Sequence, residues 1–175
     1  MTQAGFGYDV HPFAAGRRLV LGGVEIPSER GLAGHSDADV LLHAIADALL
    51  GAAGLGDIGT HFPPSDERWR EADSRELLAQ VGRLLRPCWR IVHIDATVIT
   101  EHPWIAGYRE AMRAAIADTL RITHEQINIK GKTNEYLGFI GRQEGICAIA
   151  VATIEEIAGG APRGGDHADS DSTRH

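Results

Sequence analysis

The sequence has little of several features that would define its class. Its two cysteines, Cys88 and Cys147, cannot form a disulfide framework. It has no apolar run close to the roughly 18 residues that a membrane-spanning helix needs. Its first residues, MTQAGFGYDVHPF, lack the basic region and apolar stretch of a secretory signal. These absences predict a reduced, cytoplasmic protein without a membrane partner.

Positive charge is also scarce. The 17 lysines and arginines are outnumbered by 24 acidic residues, which leaves a formal net charge of −7. Broad nucleic-acid binding needs a basic face, so nucleic acid is not an expected partner. A P-loop and a GxSxG nucleophile are both missing. If the chain binds phosphates, it must use metal ions, backbone amides or a few placed cations.

The hydrophobic content of 43% is enough for a real core. We predict one domain over residues 1–157, followed by a disordered tail over 158–175, which has no large apolar side chain. The predicted strands are residues 3–10, a hairpin over 18–26 with a Gly22-Gly23 turn, 89–99, 126–132 and 146–157. Helices are expected from Ser36 to about 51–54, from Ser74 to Pro87, and from Pro103 to about Leu120, with a loop over 133–143. This order predicts an α+β fold, a two-layer sandwich of a mixed β-sheet and α-helices.

The pair Asp9 and His11 lies near the end of the first predicted strand. Residues i and i+2 of a strand project to the same face, so a carboxylate and an imidazole converge there and suit a divalent cation. His43, on the polar flank of the first helix, is the best third ligand, and Asp39 or Asp47 could orient its ring. The alternative is that a short Asp-x-His motif occurs by chance and that His43 is an ordinary helical histidine.

Two further segments point to an anionic ligand. His35 and Ser36 open the first helix, where free amides favour an anion, although Ser36 could equally be a simple N-cap. Asp57 lies between Gly56 and Gly59, where a carboxylate can accept hydrogen bonds from a diol such as ribose. A helix C-cap followed by a turn explains the glycines of that segment but not its acid.

A polar segment follows the predicted strand 126–132. Lys132 and Thr133 can hydrogen-bond phosphate, and Glu135 can hold a hard cation such as Mg²⁺. Arg142, between flexible turns, can present its guanidinium to a phosphate or can pair with Glu144 or Glu101. A solvated polar loop is the alternative reading of the whole segment.

These fragments, taken in order, resemble a known family. GYDVHPF, LGGVEIP, GLAGHSDADVLLHAIADALLGAAGLGDIGTHFP, ADSRELL and KTNEYLGFIGRQEGICAIAV are similar to the 2-C-methyl-D-erythritol 2,4-cyclodiphosphate synthases. The resemblance covers residues 4–157. It implies a phosphorus-oxygen lyase of non-mevalonate isoprenoid biosynthesis that closes 4-diphosphocytidyl-2-C-methyl-D-erythritol 2-phosphate into a cyclic diphosphate and releases CMP. It also implies a homotrimer whose sheets face the three-fold axis and whose active sites lie between subunits.

The resemblance also assigns roles to residues. It implies Zn²⁺ held by Asp9, His11 and His43, a second ion, Mg²⁺ or Mn²⁺, supported by Glu135, and transition-state stabilisation by His35 and Thr133. The substrate-binding residues that it implies fall into four groups. They are Asp9, His11, His35 and Ser36; Asp57, Ile58 and Gly59 with the flexible loop Phe62, Pro63, Pro64, Ser65 and Asp66; the cytidine pocket Thr100, Glu101, His102, Pro103, Trp104, Ile105 and Ala106; and Lys132, Thr133, Asn134, Glu135, Phe139 and Arg142.

Three positions depart from the family pattern. Pro64 stands where the family often has aspartate, and it fixes φ and removes a donor from the flexible loop. Trp104 replaces a frequent lysine in the nucleotide pocket, and Lys132 replaces a frequent threonine. We expect Lys132 to restore part of the lost charge, and an indole can stack on a base. The metal positions, His35 and Thr133 are intact, so activity is expected.

Two other functions fit the same residues. In a metal-dependent phosphohydrolase the ion would activate water, and the product would be a linear phosphate. In a non-catalytic trimer, Phe139 and Arg142 would bind an isoprenoid diphosphate on the three-fold axis without turnover.

Overall fold

A computed structural model describes residues 1–158 of the chain. Its strands are β1 Thr2–Ala15, β2 Leu19–Leu21, β3 Val24–Ile26, β4 Arg30–Leu32, β5 Trp89–Ile99, β6 Ile127–Lys132 and β7 Gly145–Glu156. Its helices are α1 Val40–Ala53, α2 Ile58–His61, α3 Ser74–Leu85, α4 Arg109–Leu120 and α5 Gly138–Gly141. Apart from its first residue, the predicted tail 158–175 lies outside the described residues. Within the described part, no helix is long and apolar enough to cross a membrane.

Five strands form one mixed sheet in the order β4-β1-β7-β5-β6. The neighbours pair antiparallel except β5 and β6, which run parallel. Helix α1 packs on β1 and β7, α3 packs on α1, and α4 packs on α3 and β6. Sheet and helices therefore form the predicted α+β layers around a shared apolar core.

The alternation of β1 gives its two faces different roles. Gly7 is buried beneath α1, and Asp9 and His11 share that helix-facing side. The opposite side carries Phe6, which is 63% exposed, and Tyr8, which is 48% exposed. In the single chain, the residues that carry chemistry therefore face the helices, and an apolar stripe faces outward.

Several predicted elements are confirmed. The strands 89–99 and 146–157 correspond to β5 and β7, and the helix that begins at Ser74 corresponds to α3. The hairpin turn is also as expected, since Gly22 and Gly23 have φ values of 60° and 75°. Left-handed backbone at both central positions is the geometry that glycine permits and that a tight hairpin needs.

The start of the first helix was predicted wrongly. Helix α1 begins at Val40 with Asp39 as its N-cap, not at Ser36. Ala38 adopts a φ of 59°, which interrupts any helical path between Ser36 and Val40. The hydroxyl of Ser36 instead accepts from the amide of Ala38 at 3.2 Å.

Other boundaries moved because of contacts that are distant in sequence. Strand β1 continues past Val10 to Ala15, since its last three residues pair with β4, a short strand that was not predicted. The helix expected from Pro103 begins as an α-helix only at Arg109, after a 3-10 turn over Ala106–Tyr108. The loops 54–73 and 133–143 contain the one-turn helices α2 and α5.

Asp39 does more than cap α1. Its carboxylate accepts hydrogen bonds from the amides of Gly22 at 2.9 Å, Gly23 at 2.7 Å and Leu42 at 3.1 Å, so it ties the hairpin to the helix. The side chain is fully buried. Two buried amides, those of Gly22 and Leu42, and the part-buried amide of Gly23 thus depend on one side chain.

We therefore expect Asp39→Ala to lower the free energy of unfolding by about 3–5 kcal/mol, since it leaves these buried donors unpaired. Urea denaturation at neutral pH would measure the change. Asp118→Ala, on the exposed surface of α4, is the matched control and should change stability by less than about 0.5 kcal/mol. Equal midpoints for the two variants would contradict the bridging role of Asp39.

Candidate metal and phosphate site

Three potential ligands converge between β1 and α1. The Oδ2 atom of Asp9 lies 3.0 Å from Nε2 of His11 and 2.9 Å from Nδ1 of His43, and the two ring nitrogens are 3.3 Å apart. Within residues 1–158 this trio is the one group of three or more acidic, histidine or cysteine side chains close enough to hold a metal ion. The strand spacing of Asp9 and His11 and the helix position of His43 are therefore brought together as predicted.

The backbone orients the first imidazole. Nδ1 of His11 lies 2.8 Å from the carbonyl oxygen of Ala33, which can only accept a hydrogen bond. Nδ1 of His11 therefore carries the proton, and Nε2 presents its lone pair to Asp9 and His43. Burial would raise the pKa of the Asp9 carboxyl, but the neighbouring imidazoles of His11 and His43 hold that pKa well below its usual value. Asp9 is thus ionised at any physiological pH.

The partner of His43 differs from the prediction. Neither Asp39 nor Asp47 touches its ring, because Asp39 holds the hairpin amides and Asp47 accepts from the amide of Ile58 at 2.8 Å. Instead, Nε2 of His43 lies 2.9 Å from Oγ of Ser74, the first residue of α3. This contact joins two helices that are distant in sequence, which is why helical spacing did not reveal it.

Carboxylates surround the trio. Burial raises the pKa of Asp39 to about 6 despite three amide hydrogen bonds, and burial also raises the pKa of Asp47, with smaller contributions from Asp57 and Asp9. Burial lowers the pKa of His43, but the Asp9 carboxylate reverses this and the net shift is upward. A cation bound nearby would lower each of these raised pKa values, so the charges around the pocket favour a cation.

The trio opens into a cavity of about 280 Å³. Most residues predicted for the metal and anion site line it: Asp9, His11, His35, Ser36, His43, Ile58, Gly59, Phe62 and Pro64. Asp47, Trp69 and Leu77 complete the wall. The Trp69 ring packs edge-on against Phe62 at 5.0 Å between centroids. One side of the cavity is therefore charged, and the other is aromatic.

A second, smaller cavity of about 160 Å³ holds most of the residues predicted for the nucleotide. Its walls are Thr100, Pro103, Trp104, Ile105, Ala106, Lys132 and Thr133, with Arg109 and Gly131. Trp104 is 70% exposed at its mouth. The residues that the resemblance implied in a single active site thus occupy two separate cavities of one chain.

Glu101 and Asn134 support the loop after β6. The buried Glu101 carboxylate accepts from the amides of Asn134 at 2.9 Å and Tyr136 at 3.1 Å, so it is not an ion-pair partner of Arg142. Arg142 pairs with Glu144 at 2.7 Å, one of the two alternatives that the sequence left open. These contacts hold the loop that carries Thr133 against β5.

Glu135 lies outside the trio. Its carboxylate accepts from the hydroxyl of Thr133 at 3.0 Å, and its backbone is left-handed, with a φ of 50°. Both side chains remain accessible on this loop. Glu135 as the support of a second ion therefore stays a prediction.

The remaining predicted residues have local partners. Asp57 caps α2 and accepts from the amide of Thr60 at 2.8 Å and from its hydroxyl at 2.7 Å, while Asp66 pairs with Arg68. The other predicted residues line neither cavity: Pro63, Ser65, His102 and Phe139. Asp57 and Asp66 are therefore engaged within the chain, and any role of theirs in substrate binding stays a prediction.

Four residues that line the two cavities were not predicted from the sequence, namely Trp69, Leu77, Arg109 and Gly131, and neither was Ser74, which contacts the ring of His43. Leu77 has the helical spacing of an ordinary apolar core residue, and Ser74 begins a helix as many serines do. Arg109 could have been suspected as a cation six residues after Pro103. None of these signals by itself separates a site residue from a structural one.

The trio fits a tetrahedral zinc ion. Zinc bonds to nitrogen and oxygen of about 2.0–2.1 Å give a tetrahedron with edges of about 3.3 Å. The three edges observed between Asp9, His11 and His43 are 2.9, 3.0 and 3.3 Å. Three protein ligands would leave a bound zinc ion one free coordination position, as in catalytic rather than structural zinc sites.

Comparisons with known proteins identify similar sequences. A curated relative from Symbiobacterium thermophilum, named 2-C-methyl-D-erythritol 2,4-cyclodiphosphate synthase, is 60% identical over 151 residues, which are 86% of this chain and 96% of the relative. A relative of the same name from Moorella thermoacetica is 56% identical over 160 residues, which are 91% of this chain and 98% of the relative.

Solved structures are similar as well. IspF from Plasmodium falciparum in complex with CDP has a TM-score of 0.78 at 34% identity, with 89% of this chain and 96% of that chain covered. The bifunctional IspDF from Campylobacter jejuni has a TM-score of 0.87 at 41% identity, and the match covers 90% of this chain but only 43% of that longer protein. The sequence model of the YgbB family matches residues 2–155. This chain therefore belongs to the YgbB family.

Proposed function

We propose that this chain converts 4-diphosphocytidyl-2-C-methyl-D-erythritol 2-phosphate into 2-C-methyl-D-erythritol 2,4-cyclodiphosphate and CMP. The observation that carries the proposal is the convergence of Asp9, His11 and His43 in a cavity that also contains His35. Phosphoryl transfer of this kind requires positioning and charge stabilisation more than a protein nucleophile. The names of the curated relatives support the same reaction.

The charges explain why the site needs a metal. An ionised Asp9 at about 4 Å from a phosphate oxygen would repel it by roughly 4 kcal/mol at an effective dielectric constant of 20. Asp9, His11 and His43 would hold the ion, which when bound supplies a Lewis acid for a phosphoryl oxygen. We propose that this ion is Zn²⁺, because of the ligand types and the distances between the three ligand atoms. We propose that Mg²⁺ or Mn²⁺ binds near Glu135 with the substrate diphosphate.

The chain's own residues position the phosphates. His35 is exposed at the rim of the metal cavity, where its ring can donate to a phosphate oxygen. Thr133 and Lys132 line the second cavity and can bind the diphosphate there. We propose His35 and Thr133 as the groups that stabilise the transition state from two sides.

The second cavity suits a nucleotide. Trp104 offers a flat apolar face, while Lys132 and Arg109 offer positive charge beside it. A Plasmodium falciparum relative has been solved with CDP, which supports this assignment. We propose that the cytidine lies against Trp104 and that Arg109 and Lys132 replace the charge of the lysine frequent in the family.

We further propose a homotrimer whose sheets face the three-fold axis. Two observations support it: the metal and nucleotide residues occupy separate cavities of one chain, and Phe6, Tyr8, Val10 and Val151 expose an apolar stripe on the helix-free side of the sheet. Packing three copies would cover that stripe and complete each site. An isoprenoid diphosphate near Phe139 and Arg142 stays a prediction.

Sedimentation equilibrium is expected to give three times the 18.8 kDa chain mass. Val151→Lys, which places a charge in the stripe, should shift the protein toward monomers and reduce turnover, because the shared sites come apart. Glu76→Lys, on the exposed surface of α3, is the control for added charge. A monomeric wild type with full activity would contradict the assembly.

Phosphorus NMR of the cytidyl substrate with the purified protein tests the function itself. We expect the signals of a cyclic diphosphate and of CMP to appear, to stop on addition of a chelator, and to return with Zn²⁺ and Mg²⁺. A linear phosphate product would favour the phosphohydrolase instead. Binding without any new signal would favour the non-catalytic trimer.

A further inference from the structure

A buried chain of hydrogen bonds continues from the metal trio into α3. Nε2 of His43 lies 2.9 Å from Oγ of Ser74, and that hydroxyl in turn contacts Oδ1 of Asp37. Ser74 is 1% exposed. Asp37 holds Ser74 at a second point, because its Oδ2 accepts from the Ser74 amide at 3.1 Å.

The donors and acceptors in this series of hydrogen bonds follow from Asp37, its last member. An ionised carboxylate can only accept, so the Ser74 hydroxyl donates its proton to Asp37. The Ser74 oxygen then accepts from Nε2–H of His43, which leaves Nδ1 of His43 with its lone pair toward Asp9 and His11. A metal ligand must be the bare nitrogen, and the partner of the other nitrogen determines which one that is.

Ser36 is the nearest competitor for this role. Its Oγ lies 3.3 Å from Nε2 of His43, longer than the Ser74 contact, and it already accepts from the amide of Ala38. Within residues 1–158 no carboxylate contacts the Ser36 hydroxyl, whereas the hydroxyl of Ser74 is polarised by Asp37. The stronger acceptor for His43 is therefore Ser74.

We infer that Ser74 and Asp37 are positioning residues that hold His43 in its metal-binding tautomer and thereby set the zinc affinity of the trio. The inference rests on the proposed metal site and adds two residues to it. His11 needs no such residue, because the Ala33 carbonyl orients it. Only one of the two imidazoles therefore depends on side chains that mutation can remove.

Zinc titration of the metal-free protein against a competing chelator tests this. We expect Ser74→Ala to weaken zinc binding about 10- to 100-fold, the range found when a partner of a ligating histidine is lost. Asp37→Asn keeps the Ser74 hydroxyl but disturbs its acceptor, so a smaller loss in the same direction is expected. Ser28→Ala, an exposed serine away from both cavities, should leave the affinity unchanged.

Thermal melting of the metal-free proteins separates this role from a structural one, because a purely structural role lowers the melting temperature but not the zinc affinity of the folded protein. The visible absorption of Co²⁺ bound in place of zinc gives a second readout, and a changed band in Ser74→Ala indicates altered coordination. Zinc affinities within two-fold of the wild type in both variants would overturn the inference. A wild type that binds no zinc would overturn the metal site itself, and the inference with it.

Discussion

Replacing His43 with alanine is expected to lower turnover by at least about 1000-fold and to remove bound zinc. His43 is one of three ligands, and two ligands with two or more open positions neither retain the ion nor orient it. Without the ion, the ionised Asp9 would face the phosphates uncompensated. Zinc content by mass spectrometry and cyclic diphosphate formation by phosphorus NMR measure the two effects on the same sample.

His124→Ala is the matched control, because that histidine is exposed just before β6 and lines neither cavity. It should retain both zinc and activity. The thermal midpoint of metal-free His43→Ala should stay close to that of the metal-free wild type, since the ring is part of the cavity wall. If His43→Ala retained one zinc per chain and full turnover, the ion would have to be bound elsewhere.

The second large effect is expected at Gly7, and it concerns folding rather than chemistry. A β-carbon at Gly7 would overlap the carbonyl oxygen of Ala44, and it would lie 2.8 Å from the amide nitrogen of Ala48. Both atoms belong to the backbone of α1, which cannot move without separating from the sheet. We expect Gly7→Ala to lower the free energy of unfolding by more than about 4 kcal/mol, or to prevent folding.

Gly107→Ala is the control for this change. Among residues 1–158, no atom other than those of Gly107 and its two chain neighbours lies within 4 Å of the added β-carbon, and the φ of Gly107 is outside the left-handed region. Urea denaturation of the two variants beside the wild type gives the comparison. A Gly7→Ala midpoint equal to that of Gly107→Ala would mean that α1 does not approach β1 as closely as the structure indicates.

The three candidate metal ligands could be predicted because their arrangement follows largely from local backbone geometry. Asp9 and His11 share a face by the two-residue period of a strand, and that period depends only on the backbone. His43 needed a further step, since its meeting with β1 depends on α1 crossing the sheet at Gly7. The apolar pattern predicted that α1 packs on the sheet, but not where it crosses.

The partner of His43 shows the limit of such reasoning. Asp39 and Asp47 are one helical turn away and looked suitable, yet both are used by other backbone amides. Ser74 lies 31 residues further along the chain and meets the ring only because α3 packs beside α1. Sequence spacing cannot rank a neighbour on the same helix against one brought in by tertiary packing.

By itself, the order of residues determined the layered α+β fold, the hairpin at Gly22-Gly23, and the three ligands that belong to two regular elements. It did so because strand and helix periods and turn geometry are local properties of the backbone. Only the tertiary structure decided that Asp39 would bind the hairpin amides, that Ser74 would contact both His43 and Asp37, and that the residues predicted for the metal and for the nucleotide would line separate cavities of one chain. Those outcomes depend on which donors and acceptors meet once the layers have packed. Because an unpaired buried polar group costs free energy, the packed structure favours arrangements in which each such group has a partner.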